Sequence, residues 1–203
     1  MILSWKAPVY HNEKLLGSYD AESGSYETAG SNFDYLSLLS GKTFPVDMDS
    51  PKIFFPCSKK KLTAYDCLWL LGDIPLVSQR LAHFLAQKAS VHIQLLKPTS
   101  IAANGEEVTE DYYIVNAAQT IRAVDKSKSV AELSDSGSIL YFNEIWFHDT
   151  AAGMGEIARE RDSGDLLISQ ELADAMIENR FKGDKGLGFY IANRSFTPYK
   201  DQA

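Results

Sequence analysis

Cysteine is nearly absent from this 203-residue chain, with only Cys57 and Cys67 present. No second pair stands nearby to complete a zinc site, so both read as buried thiols of a reducing compartment. Histidine is also scarce. His11, His83, His92 and His148 lie apart, none with carboxylates at metal-ligand spacing, and the expectation is no metal and no cofactor. Positive charge is in deficit, with 20 Lys and Arg against 27 Asp and Glu, a net charge of −7. Such a field repels nucleic acid and anionic membrane and speeds encounter with a basic partner. No apolar run approaches the roughly 20 residues that span a bilayer. Met1-Ile2-Leu3-Ser4-Trp5-Lys6 lacks a basic stretch followed by an apolar one. The expectation is therefore a soluble, cytoplasmic chain without a secretory signal. No Gly-x-Ser-x-Gly elbow is present, and Gly183 to Gly188 follow a helix rather than precede one, the wrong end for phosphate.

What is present suits a folded chain. At this length roughly 70% of the extended surface can be buried without disulfide or metal. Residues 1–50 are rich in Ser, Gly, Asp and Tyr with poor alternation, and read as an irregular layer packed on a core of residues 51–203. Lys59-Lys60-Lys61 reads as a solvated loop. The remainder alternates between short strands and turn chemistry. Ile53–Phe55 reads as a short strand or buried loop and Leu68–Val77 as an apolar run interrupted by turn residues, while strands are expected at Val91–Leu96, Tyr112–Ala117 and Thr120–Asp125. Ser138–His148 reads as one long strand or two short ones with a break near Asn143, and a final strand is expected at Leu187–Ile191. Glu156–Glu160 and Leu166–Ile168 flank Asp162-Ser163-Gly164-Asp165, which predicts a hairpin. Strands in succession with two separated helices argue for an α+β fold with a mixed or mostly antiparallel sheet.

Both helices announce themselves by an echo. Leu76-Val77-Ser78-Gln79-Arg80-Leu81-Ala82 returns as Leu167-Ile168-Ser169-Gln170-Glu171-Leu172-Ala173. Each copy runs a strand into a serine whose hydroxyl can accept a first-turn amide, then into an amphipathic helix. These serines need no catalytic role.

Four ordered segments carry a family resemblance: Pro75-Leu76-Val77-Ser78-Gln79-Arg80-Leu81; Tyr112-Tyr113-Ile114-Val115-Asn116 with Ile121-Arg122-Ala123-Val124-Asp125; Leu167-Ile168-Ser169-Gln170-Glu171-Leu172; and Lys182-Gly183 with Gly188-Phe189-Tyr190. Together they resemble immunity protein family eleven of bacterial polymorphic toxin systems, over roughly residues 52 to 192. Two departures stand out. The family's aromatic-Arg pair before the last helix is Ala158-Arg159 here, and Gly183 is followed by an additional Asp184-Lys185-Gly186. The resemblance implies a non-enzymatic cytoplasmic inhibitor that binds a cognate toxin effector domain and covers its active site. It implies no catalytic residues. An enzyme that reverses a toxin modification, or an unrelated ligand-binding module, is the alternative.

Two groups are candidates for contact with that partner. Glu106, Glu107, Glu110 and Asp111 could meet toxin Lys or Arg, where complementarity chiefly speeds association. Tyr141, Glu144, Trp146 and His148 place aromatic and polar side chains together on one strand, the composition of interface hot spots. Asn116 is expected to fix a turn by a side-chain hydrogen bond. A homodimer is left open.

Overall fold

The structure is a computed structural model that describes residues 1–19 and 33–200. Its first half runs β1 (Ile2–Trp5), β2 (Leu16–Gly17), α1 (Tyr35–Leu39), β3 (Lys52–Phe55), α2 (Lys59–Leu62), β4 (Cys67–Leu70), β5 (Ile74–Ser78), α3 (Gln79–Ala89) and β6 (Ile93–Leu96). A small interlude, β7 (Ser100–Ala103) and β8 (Glu106–Glu107), follows. The second half runs β9 (Tyr112–Ala117), β10 (Thr120–Ile121), β11 (Val130–Leu133), β12 (Ile139–Trp146), β13 (Ile157–Glu160), β14 (Leu166–Ser169), α4 (Gln170–Glu178) and β15 (Phe189–Pro198). The fold is α+β, with both parallel and antiparallel pairs in its sheets.

The echoed motif marks a much larger correspondence. One sheet has the order β2-β4-β5-β9-β6, and the other begins β10-β13-β14-β1-β15 before continuing into β12 and β11. In both, the first pair is parallel and the next three are antiparallel. The registers agree as well. Ser78 lies opposite Tyr112 as Ser169 lies opposite Ile2. Along the chain, β1-β2-β4-β5-α3-β6 and β9-β10-β13-β14-α4-β15 are two copies of one unit whose first strands are exchanged. β1 of the first half completes the second sheet, and β9 of the second half completes the first.

This exchange explains where the N-terminal reading departs from the structure. Ile2–Trp5, expected within the irregular layer, is a fully buried strand between β14 and β15. Four residues are too few to show alternation when both faces are covered, so the run Ile2-Leu3-Ser4-Trp5 carries no periodic signal. Elsewhere in the layer, α1 is capped by the Asp34 carboxylate, which accepts from Leu36 N. Residues 20–32 of that layer lie outside the described residues. Lys59–Lys61 is not a loop but the helix α2, because the Ser58 hydroxyl caps it and Leu62 anchors it in the core. Of the two readings of Ser138–His148, the single long strand is the one formed, as β12 runs unbroken from Ile139 to Trp146, with a register shift against β11 at Asn143. The strand expected over Thr120–Asp125 stops at Ile121, and Val124 makes only an isolated bridge to Phe147.

Both helix caps form as the echo predicts. Ser78 Oγ accepts from Leu81 N at 3.4 Å and Ser169 Oγ from Leu172 N at 3.1 Å. The apolar faces of α3 and α4 close on a single core with Leu3, Trp5, Trp69, Val115 and Phe189 from the two sheets. A second core lies against the outer face of the first sheet, where β3, β7, α1 and α2 cover Leu68, Leu70, Leu76 and Ile114. Asn116 is fully buried and its Nδ2 donates to the Lys42 carbonyl at 2.7 Å, pinning the loop after α1. Cys57 and Cys67 are buried and unbridged, and burial pushes both thiols above the ordinary range.

Candidate partner-binding surface

The two candidate groups lie on different sheets. Glu106 and Glu107 form β8, exposed at the end of the small sheet β3-β7-β8. Asn104 and Gly105, both at positive φ, turn the chain from β7 into β8. Glu110 and Asp111 follow and are already engaged. Lys59 Nζ lies 3.3 Å from Glu110, and Lys97 Nζ lies 2.8 Å from Asp111. Lys59, the lysine nearest Glu110, helps hold that carboxyl below its usual range, after the larger effect of its own backbone amide. Half of this acidic group is therefore matched by lysines of the same chain.

Tyr141, Glu144 and Trp146 stand on β12, and His148 follows just beyond it. The strand β12 joins the second sheet through only two paired positions, Ile145 with Arg194 and Trp146 with Asn193. The rest of it pairs outward with β11, so the hairpin β11-β12 extends from the sheet. Tyr141 is half-exposed and its hydroxyl donates to the Glu132 carboxylate, which pushes the phenol above its usual range. Glu144 pairs with Arg194 at 2.9 Å, where Arg194 takes a positive φ within β15. Trp146 is half-buried, with Lys128 Nζ 6.0 Å from its ring centre. His148 is exposed, and its Nδ1 lies 3.9 Å from Asp125. The Ser127 hydroxyl, ahead of Lys128, holds the Asp125 carboxyl below the ordinary value.

The sequence reading missed the junction between the two halves. Asp66, just before β4, accepts from Ser78 Oγ at 2.8 Å, Arg80 Nη2 at 2.7 Å and Lys182 N at 2.9 Å. Arg80 also donates to the carbonyls of Asn179 and Arg180 at the exit of α4. In the second half Glu156 takes the place of Asp66 and accepts from Ser169 Oγ, while Glu156 N donates to His92 Nδ1 at the exit of α3. Each helix exit thus docks on the opposite half. Extending the echo upstream would have aligned Asp66 with Glu156 as acids standing 12 and 13 residues before the capping serines.

Burial would raise the Asp66 carboxyl, but the Arg80 guanidinium, the Lys182 amide and the Ser78 hydroxyl outweigh it and hold it below the ordinary value. A folded pKa below the unfolded one contributes stability above about pH 4, which is lost as pH falls through the folded value. Asp66→Asn is expected to cost about 2 kcal/mol at pH 7, since hydrogen bonds to charged groups are worth roughly 1.5–3 kcal/mol and Arg80 is exposed enough to rehydrate. Urea titrations at pH 7 and pH 3 check this. The gap between wild type and variant should close at the acid end, and a constant gap would refute the carboxylate's role.

Among the described residues no group of three His, Cys, Asp or Glu could hold a metal ion, and no helix is long and apolar enough to cross a membrane. No curated protein matches the chain. The sequence model of the immunity protein family (Imm11) matches residues 9–190, taking in most of the N-terminal stretch that the four motifs left out. With nine-tenths of its length so matched, the chain belongs to the immunity protein family Imm11.

Proposed function

We propose that this chain protects its cell by binding a cognate toxin effector domain directly in the cytoplasm, covering it without chemistry. The carrying observation is the family match over residues 9–190. A net charge of −7 favours a basic toxin surface, because opposite fields accelerate encounter. The repeated strand-serine-helix units are scaffold. Their serines are occupied by the caps and by Asp66 and Glu156.

Co-expression with the toxin domain encoded beside this chain tests the reading. Survival is the expected result, and continued killing in the presence of folded, abundant chain would overturn it. The binding mode is tested with purified toxin domain and purified chain. Inhibition should reach its end point near equimolar addition. Full protection at about a tenth of that ratio would establish turnover and favour an enzyme that reverses the toxin's modification.

A further inference from the structure

The hairpin β11-β12 stands out from the rest of the molecule on three counts. It has no counterpart in the first half, whose sheet ends at β6, so the duplicated unit is complete without it. It concentrates exposed apolar side chains. Val130, Leu133, Leu140 and Tyr141 are 49%, 56%, 60% and 52% exposed, and they make up four of the ten large apolar residues exposed among the described residues. It is also acidic throughout. Residues 129–146 hold Glu132, Asp135 and Glu144 and no Lys, Arg or His. Among the described residues, only Glu144 of these acids has a cation, Arg194 from β15, in an exposed pair that is readily exchanged.

The register shows how these side chains are presented. Tyr141 lies opposite Glu132 and Ile139 opposite Leu133, and because Glu132 and Leu133 are successive residues of β11 the two pairs lie on opposite faces, while Val130 lies opposite Glu144. Leu140 falls between the two pairs, at a register shift, without a partner opposite. Apolar groups are therefore offered on both faces, with carboxylates beside them and Asp135 at the tip. A flat partner could cover only one face, whereas a cleft can clasp both. Both register shifts place the extra residue on β12, at Asn143 and Leu140.

We propose that the β11-β12 hairpin is the element that enters the toxin, seating Leu133, Leu140 and Tyr141 in a cleft whose rim carries Lys or Arg opposite Glu132 and Asp135. This rests on the inhibitor reading above and names its epitope. The acidic group at Glu106 to Asp111 is a weaker site for the same purpose, since Lys59 and Lys97 already neutralise half of it.

The test uses the full chain, the toxin domain encoded beside it and surface-plasmon kinetics at several salt concentrations. Leu133→Ser with Leu140→Ser should raise Kd about a hundredfold, mainly through faster dissociation. Glu132→Lys with Asp135→Lys should slow association about tenfold and flatten its dependence on salt. Both variants replace exposed residues, so their melting temperatures should match the wild type. A control reversal at Glu106 and Glu107 should change Kd less than twofold. Tight wild-type binding that persists in both hairpin variants overturns this proposal and leaves the inhibitor reading standing. Absence of wild-type binding overturns the inhibitor reading and the hairpin's role together. A concentration-dependent dimer of the chain alone, abolished by the leucine variant, would make the hairpin a contact between copies and would also overturn it.

Discussion

Gly188→Ala should abolish folding, whereas Gly105→Ala should cost only about 1 kcal/mol, although both glycines sit at a φ of 81°. The difference isolates close approach from backbone strain. A Cβ at Gly105 would meet nothing within 4 Å. At Gly188 it would stand 1.9 Å from the Lys6 carbonyl oxygen and 2.9 Å from the Trp69 ring. The oxygen belongs to the backbone that follows β1, and Lys6 N donates to the Gly188 carbonyl at 2.9 Å, so the strand cannot move away without unzipping. A loss above about 4 kcal/mol is expected, which is a large fraction of a typical domain's stability. Soluble yield and thermal melting of the two variants, side by side, check it. Equal losses would show that β1 yields at this point.

Trp5→Ala is expected to destabilise by about 3–5 kcal/mol, the range for truncating a buried large aromatic. Trp5 is fully buried in β1, its ring edge-on to Trp69 at 6.2 Å and beside Phe189 at 6.1 Å. Its Nε1 donates to the Leu187 carbonyl at 2.9 Å, which the truncation would leave without that partner. The exchanged strand makes this residue a link between halves, since Trp69 belongs to the first sheet and Phe189 to the second. Trp5→Phe keeps most of the apolar contact and should lose about 1–2 kcal/mol, chiefly the hydrogen bond and unfilled volume. Urea unfolding followed by far-ultraviolet circular dichroism measures both without relying on the altered fluorescence. A loss under about 1 kcal/mol for the alanine variant would mean that β1 contributes little to holding the two halves together.

Much of the architecture could be read before folding was considered. The two caps, the hairpin around Asp162 to Asp165, the strand Tyr112–Ala117 and the α+β class all follow from local chemistry. The structural role of Asn116 was legible too, because an amide inside an apolar strand needs a partner. The weak points share one cause. Ile2–Trp5 and Thr120–Asp125 depend on which strand lies beside them, and a short segment carries no record of a partner that is dozens of residues away for Thr120 and more than a hundred for Ile2. Lys59–Lys61 misled because charge suggests solvent, while the capping Ser58 and the anchoring Leu62 lie on either side of the run.

The candidate surface divides in the same way. Composition alone pointed to the acids and to the aromatics of residues 141–148, since side-chain type is written in the chain. Whether those side chains are neutralised, buried or presented is set by neighbours. Lys59 and Lys97 reach Glu110 and Asp111 across the fold, while no cation within residues 129–146 reaches Glu132.

By itself the sequence determined the serine caps, the turns, the acidic balance and the repeated strand-helix signature, because each arises from residues within a few positions of one another. Only the tertiary structure decided that the two halves exchange their first strands, that Asp66 and Glu156 clasp the junction, and that one hairpin stands clear of the core. Those features depend on pairing between distant segments, where burial and hydrogen-bond geometry, rather than local preference, select the arrangement.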